Sequence, residues 1–294
     1  GVRDALRLHF RGRRAVARPD LPLYRRPSAP ASIDEAVRNN IAAGGRRIAL
    51  LDNFAWGDPE DQDNLGDLVR AARACYDVAK GLETPFVSGK DSLYNETPLG
   101  DILPTLLITA IGIVPELSRS MSADFKKEGN SIYLVGETKP ELGGSEYYRL
   151  RNIQGGEVPK LDTISAASIY RAINRLTDQS YVRACHDISQ GGLAVALAEM
   201  CFARGLGAEI ALEDSAVQTN LVSELFSESN SRFLLEVDHG DEDKFEKMLR
   251  GLPFTSVGKV VKDRILVRSE SGKKLVDLST KNCYTAWRST FGSR

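Results

Sequence analysis

Two short segments, each following an apolar run, carry side chains able to engage a phosphate or a divalent cation. The first is Asp52-Asn53-Phe54-Ala55-Trp56-Gly57-Asp58-Pro59-Glu60, placed directly after Ile48-Ala49-Leu50-Leu51. A carboxylate just beyond a strand can reach a metal ion or a nucleotide hydroxyl, and it can equally open an Asx-turn. The second is Ser88-Gly89-Lys90-Asp91-Ser92-Leu93-Tyr94-Asn95-Glu96, placed after Phe86-Val87. Gly89 would let backbone approach a phosphate, Lys90 supplies a positive charge, Asp91 can hold magnesium, and Ser92 can donate to an oxyanion. The spacing of a Walker loop is absent, and Gly-Lys-Asp-Ser also makes an ordinary surface turn.

Two glycine-rich turns follow farther along. Glu141-Leu142-Gly143-Gly144-Ser145-Glu146 is one, and His186-Asp187-Ile188-Ser189-Gln190-Gly191-Gly192 is the other. The second runs into an apolar segment with helical spacing, whose free N–H groups and dipole favour an anion. Asp187 and Ser189 can touch such a ligand or cap the helix, and His186 is expected to be a packed, hydrogen-bonded histidine. Only His9, His186 and His239 occur, without metal-ligand spacing, which argues against a zinc hydrolase. Cys75, Cys185, Cys201 and Cys283 form no C-x-x-C pair and are expected to be buried thiols.

These groups must be positioned by a folded body, and the composition allows one. The 294 residues are 42% hydrophobic, enough for a sizeable core and, by length, for two domains. The 39 Lys and Arg nearly cancel the 40 Asp and Glu, so no long-range field favours nucleic acid or an anionic membrane. No apolar run is long enough to span a bilayer and no secretory signal is recognisable, which points to the cytoplasm.

Residues 1–31 differ from the rest: Arg3, Arg7, Arg11, Arg13, Arg14, Arg18, Arg25 and Arg26 face only Asp4 and Asp20, and lysine is absent. They are expected to be a basic leader, disordered or non-native. Regular patterning begins at Ser32, expected to cap a helix through residue 39. Strands are expected over 48–51, 86–88 and 103–114, with a helix whose packed face holds Leu65, Leu68, Val69, Ala72, Tyr76 and Ala79. This first unit, residues 32–120, reads as α/β. The second, 121–294, reads as α+β, with strands near 131–135, 208–212, 232–237, 256–261 and 265–268 and helices over 165–176, 192–204 and 241–250.

The motifs D-N-F-x-W-G-x-P-E, S-G-K-D-S-L-x-N-E, E-L-G-G-S-E-Y, H-D-I-S-x-G-G-L-A-V-A-L-A-E-M and F-S-E-S-x-S-R-F-L-L-E-V occur in that order over residues 33–267. Together they resemble the C-terminal half of the ATP-dependent synthetase subunit, small-subunit type, of the phosphoribosylformylglycinamidine synthase family. That family sits within the aminoimidazole ribonucleotide synthetase-like superfamily. The resemblance implies a two-domain fold in which the first domain pairs through its sheet, either with the N-terminal half of the enzyme or with a second copy as a homodimer. The long apolar segment over 103–114 agrees, because a unit of this size cannot cover both faces of its own sheet.

It also implies an activity in purine biosynthesis. ATP phosphorylates the amide oxygen of formylglycinamide ribonucleotide, and ammonia then displaces phosphate to give the amidine, with Mg2+ offsetting phosphate charge. Ammonia would come from a separate glutaminase subunit, in a complex that also holds a small accessory subunit. Carried over by position, Asp52 and Gly89 match ATP-binding residues and Ser92 a substrate-binding one. Lys90 stands where a magnesium-binding Asn is usual and should contact phosphate instead, leaving Asp91 for the metal. Gly143, Gly144, Ser145, Asp187, Ser189, Glu228 and Ser229 are further candidates for phosphate or substrate contacts, with Asn230 one methylene shorter than the usual Gln. The catalytic histidine is expected in the first half of the family chain, so turnover by this chain alone is not expected. Two alternatives are a silent half that holds a nucleotide to brace its partner and a hydrogenase maturation factor. The latter is expected to end in a cysteine tail, whereas this sequence ends Phe291-Gly292-Ser293-Arg294.

Overall fold

The computed structural model describes residues 28–98 and 100–289. The first helix, α1 (Ser28–Ala42), is followed by strand β1 (Arg46–Ala55), helix α2 (Gln62–Leu82) and strand β2 (Phe86–Ser92). The short hairpin β3 (Glu96–Thr97) and β4 (Gly100–Asp101) leads to β5 (Thr105–Ile113). β1 is central in a three-stranded sheet of order β2-β1-β5, parallel to β2 and antiparallel to β5.

Three expectations about this region are corrected. α1 begins at Ser28, so the boundary drawn after residue 31 falls inside a helix, and Ser32 is a buried helical residue instead of a cap. Pro30 is tolerated there because the first turn of a helix does not need its N–H. Residues 1–27, which carry all of the leader's arginines, lie outside the described residues. β1 and β2 are both longer than expected, so Asp52 and residues 89–92 belong to strands and not to loops. Each strand is extended by pairing with its neighbour, which overrides the turn tendency of Asp-Asn and Gly-Lys-Asp. Finally, α2 buries Asp67, Cys75, Val78 and Leu82, while Leu65, Val69 and Tyr76 of the expected packed face are exposed.

The remaining elements build a seven-stranded sheet. They are β6 (Ser131–Val135), α3 (Glu146–Arg151), α4 (Thr163–Asp178), β7 (Ala184–Asp187), α5 (Gly192–Met200), β8 (Leu206–Leu212) and α6 (Asp214–Phe226). β9 (Phe233–Val237), α7 (Glu242–Met248), β10 (Phe254–Lys262), β11 (Arg264–Ser269), β12 (Lys274–Ser279) and α8 (Thr280–Arg288) complete it. The strand order is β12-β11-β8-β10-β6-β9-β7, antiparallel except between β8 and β11.

Alternation along the central strands explains the layers. Tyr133, Val135, Phe233, Leu235 and Val237 point to one core, shared with α1, α2, α4 and the inner face of the small sheet. Ile132 and Leu234 point to the opposite core around α5, whose sequence is apolar on nearly all sides because it is covered on nearly all sides. Burial on both faces gives β9 its continuous run Phe-Leu-Leu-Glu-Val. Its one charged member, Glu236, is satisfied by the Lys126 and Lys127 amides and the Asn130 side chain. Among the described residues no helix is long and apolar enough to cross a membrane.

Candidate functional site

Asp52 lies opposite Gly89 across the parallel β1–β2 pair. A side chain at residue 89 would collide with it, since a Cβ there would stand 2.0 Å from Asp52 Oδ1. The Asp52 carboxylate therefore occupies the space a side chain at residue 89 would take, and the two positions form one unit. Phe54 and Asp91 are the next pair on the same face, so both carboxylates project to the side that carries α2. Cys75 on α2 senses this: burial pushes its thiol up to about 12, with the charge of Asp52 adding to the effect.

Strand alternation separates the other candidates. Lys90 pairs with Asn53 and Ser92 with Ala55, which places Lys90 and Ser92 on the opposite face from Asp52 and Asp91. The sequence suggested a single loop wrapping one phosphate; the structure offers two faces of an edge strand. Beyond the strands, the connecting segments are tied together by Trp56 N donating to Ser92 O at 2.9 Å and Tyr94 N to Gly57 O at 3.0 Å. Asn95 Nδ2 donates to Trp56 O at 3.0 Å. The Asx-turn allowed for Asp52 is made instead by Asp58, whose carboxylate accepts from Glu60 N at 2.7 Å.

The second set of candidates converges on Glu228. Its carboxylate accepts from Gly191 N at 2.9 Å and Glu146 N at 2.8 Å, joining the two glycine-rich turns. Burial pushes Glu228 up to about 7 against these two bonds, so its proton is exchangeable near neutrality. Ser145 caps α3, accepting from Tyr148 N at 3.2 Å. Gly143 donates to Glu157 O at 2.7 Å, and a Cβ there would meet the backbone of residues 156 and 157. Gly144 takes φ +77° at the turn. Ser229 accepts from Lys139 N at 3.1 Å. Neither Asp187 nor Ser189 caps α5: its N-cap is Gly191 at φ +79°, and Glu228 takes the Gly191 amide instead. Asp187 is buried, with Oδ2 lacking a hydrogen-bond partner.

His186 is hydrogen-bonded through both ring nitrogens, as expected. Nδ1 is 2.7 Å from Asp187 O, and Nε2 is 3.0 Å from Glu199 Oε2. Burial would lower its pKa, but hydrogen bonds and charge from Asp187 and Glu199 outweigh this and raise it to about 10. All four cysteines are buried and none is in a disulfide. Among the described residues no group of three or more His, Cys, Asp or Glu is placed to hold a metal ion.

Sequence reasoning missed the network that holds these turns in place. Asp34 on α1 is fully buried, forms an ion pair with Arg38 Nε at 2.9 Å, and accepts from Ser231 N at 3.0 Å, Ser231 Oγ at 2.7 Å and the Tyr170 hydroxyl. Arg38 reaches on to Ile188 O at 2.6 Å. Ser231 adopts φ +61°, a left-handed conformation that its two bonds to Asp34 stabilise. Next to it, the fully buried Arg232 donates to Ser229 O, Ser227 O and Thr138 Oγ1. The Asp34 and Arg38 pair, four apart on a helix, was the available signal.

Comparison with known proteins agrees with this architecture. The family described as "AIR synthase related protein, N-terminal domain" matches residues 27–114, and "AIR synthase related protein, C-terminal domain" matches 127–269. The chain belongs to the AIR synthase related family, with its two domains in the family's order. Among its relatives is the phosphoribosylformylglycinamidine synthase subunit PurL of Thermoplasma volcanium, 35% identical over 87% of this chain. The chain spans 33% of that relative's length. The solved structure of T. maritima PurL complexed with FGAR superposes with a TM-score of 0.72 at 15% identity, covering 87% of this chain and 42% of that one. A chain of the HypE-HypF complex superposes with a TM-score of 0.70 at 15% identity, covering 90% of this chain and 88% of that one. These last two likenesses show the shared fold.

Proposed function

We propose that this chain provides the C-terminal half-site of an ATP-dependent carbon–nitrogen ligase of the PurL type, with ATP lying along the free edge of β2. Asp52 seated on Gly89 is the observation that carries this reading. It is a carboxylate on the central strand that fills the space a Cβ at residue 89 of the neighbouring edge strand would take. Because β2 is an edge strand, a ligand straddling it can meet Asp52 and Asp91 on one side and Lys90 and Ser92 on the other. Lys90 would bind phosphate as a point charge, and Ser92 would contact the substrate amide.

Mg2+ fits this set, since it takes one or two carboxylates and completes its shell with phosphate oxygens, and Asp52 and Asp91 project from the same face. The ion's part is to offset phosphate charge. The substrate is the amide of formylglycinamide ribonucleotide, to which ammonia from a glutaminase subunit is added, with an accessory subunit in the same complex. Since this chain spans 33% of the PurL relative's length, the remainder of such a chain completes the catalytic site. The HypE-type reading is kept as the second one because the fold spans 88% of that chain.

Calorimetry with Mg-ATP and Mg-ADP is the test. Asp52→Ala and Lys90→Ala are each expected to weaken binding by about tenfold or more, the usual worth of a charge-assisted contact. Unchanged affinity in both variants would sink this placement. Sustained amidine formation from formylglycinamide ribonucleotide, ATP and ammonium chloride by the chain alone would overturn the half-site reading.

A further inference from the structure

Helix α4 ends in a closed turn. Ser180 takes φ +59°, its amide donates to Thr177 O at 2.9 Å and the Tyr181 amide to Leu176 O at 3.1 Å, the bonding of a Schellman ending. Gln179 N donates to Arg175 O at 3.1 Å, and Arg46 Nη2 donates to Asn174 O at 2.8 Å. Carbonyls that would otherwise repel an anion at this helix end are thereby engaged. The same turn sets Tyr181 beside α7, where Lys244 Nζ stands 5.8 Å from the centre of its ring.

Between the end of α4 and α7 lies a groove of about 400 Å³, lined from α4 and its turn by Arg175, Asp178 and Tyr181 and from α7 by Lys244, Lys247 and Met248. Small-molecule sites run from about 300 to 1,000 Å³ and are mostly apolar. This one is not. Among the described residues three cations converge on one space, so the ligand it suits carries negative charge. Asp178, the carboxylate in the lining, is already shared by Arg46 Nη2 at 3.0 Å and Arg119 Nη1 at 3.7 Å. Lys244 is held to Asp241 Oδ1 at 2.8 Å. Arg175 and Lys247 make no side-chain hydrogen bond or ion pair among the described residues. Cations left unpaired on both walls of one groove match an anion with a charged group at each end. A guanidinium takes two phosphoryl oxygens as a fork, and an ammonium binds them as a point charge.

We propose that this groove binds a small anion with two linked phosphoryl groups, one held by Arg175 and the other by Lys247 and Lys244. The groove shares no residue with the β2 edge, so it stands apart from the ligase reading.

Calorimetric titration with inorganic diphosphate, in EDTA at constant ionic strength and on a Lys90→Ala background that removes the proposed ATP contact, is the experiment. One saturable site is expected, weakened about tenfold or more by Arg175→Gln and by Lys247→Gln alike, the usual worth of a charge-assisted contact. Lys259→Gln, at an exposed lysine of β10, should leave affinity within about twofold, because a distant surface charge is screened. Orthophosphate, which engages one wall only, should bind at least about tenfold more weakly. ADP bound as tightly as diphosphate, and weakened by Arg175→Gln, would support the site with a nucleotide as the source of the two groups. ADP bound more weakly than diphosphate would support it with a free anion as the source. Circular dichroism melts confirm that each variant folds, since Arg175, Lys247 and Lys259 are all exposed. No saturable binding at millimolar diphosphate would overturn the proposal. So would malonate bound as tightly as diphosphate, or a loss in Lys259→Gln equal to that in Arg175→Gln.

Discussion

Glu228 and His186 hold their protons more tightly in the folded chain than in the unfolded one, for different reasons. For Glu228 burial dominates, raising it from 4.5 to about 7. For His186 burial acts downward, and the carboxylates of Asp187 and Glu199 reverse it, from 6.5 to about 10. Both shifts are upward, so both contributions to stability are full below the unfolded value and are lost as pH rises through the folded value. Stability should fall between about pH 4.5 and 7 on account of Glu228, and between about 6.5 and 10 on account of His186. Urea denaturation from pH 5 to 10 reads these slopes. Glu228→Gln should flatten the acid part and His186→Gln the alkaline part, while unaltered slopes in both variants would refute the assignment. The sequence placed His186 in a glycine-rich turn, and the family resemblance singled out Glu228 in a segment without glycine. That one carboxylate takes an amide from each turn was invisible to it, because residues 146, 191 and 228 are far apart in the chain.

At the scale of elements, α1 does more than cover a sheet. Asp34 and Arg38 project from it into the larger unit, so the turn at Ser231 and the turn at Ile188 are held by one helix of the smaller unit. Asp34→Ala leaves the Arg38 guanidinium buried without its carboxylate. A loss of about 3–5 kcal/mol in unfolding free energy is expected, the usual cost of breaking a buried ion pair. Asp34→Ala with Arg38→Leu should recover much of it, because no unpaired charge is left. Chemical denaturation of the single and double variants measures both. Additive losses would show that the pair does not act as a unit. Periodicity located α1 and α2 but mistook which line of α2 is packed. Leu65, Val69, Ala72 and Tyr76 satisfy a helical repeat as well as Leu68, Cys75, Val78 and Leu82 do, and only the position of the body selects between them.

For the whole molecule, the open face of the small sheet is the main unfinished surface. Along β5, Leu106 is buried while Leu107, Ile111 and Ile113 are 43%, 53% and 58% exposed. One face rests on the helices and the other presents a row of branched side chains along β5, at the opposite edge of the sheet from β2. We expect this face to pair with a homologous sheet, in a second copy or in the rest of a longer chain. Ile111→Glu should lower the mass seen by light scattering at micromolar concentration while leaving the melting temperature of the dissociated chain nearly unchanged. The same mass as the parent would remove the sheet from the interface.

Local order was legible wherever a residue's role depends on its neighbours in sequence. The apolar runs of β1, β5, β6 and β9, the helices α2 and α4, the buried cysteines and the family motifs could all be read directly. Tertiary structure decided where roles depend on partners distant in the chain. Pairing with β1 made a strand of residues 89–92 and sent Lys90 and Asp91 to opposite faces, because side chains alternate once a strand is fixed. The body of the protein chose which line of α2 to bury. The meeting of residues 34, 170 and 231 turned a helix of one unit into the support for the turns of the other. In each case the sequence specified side-chain chemistry, while direction and partnership followed from register and packing, which exist only once the chain has folded.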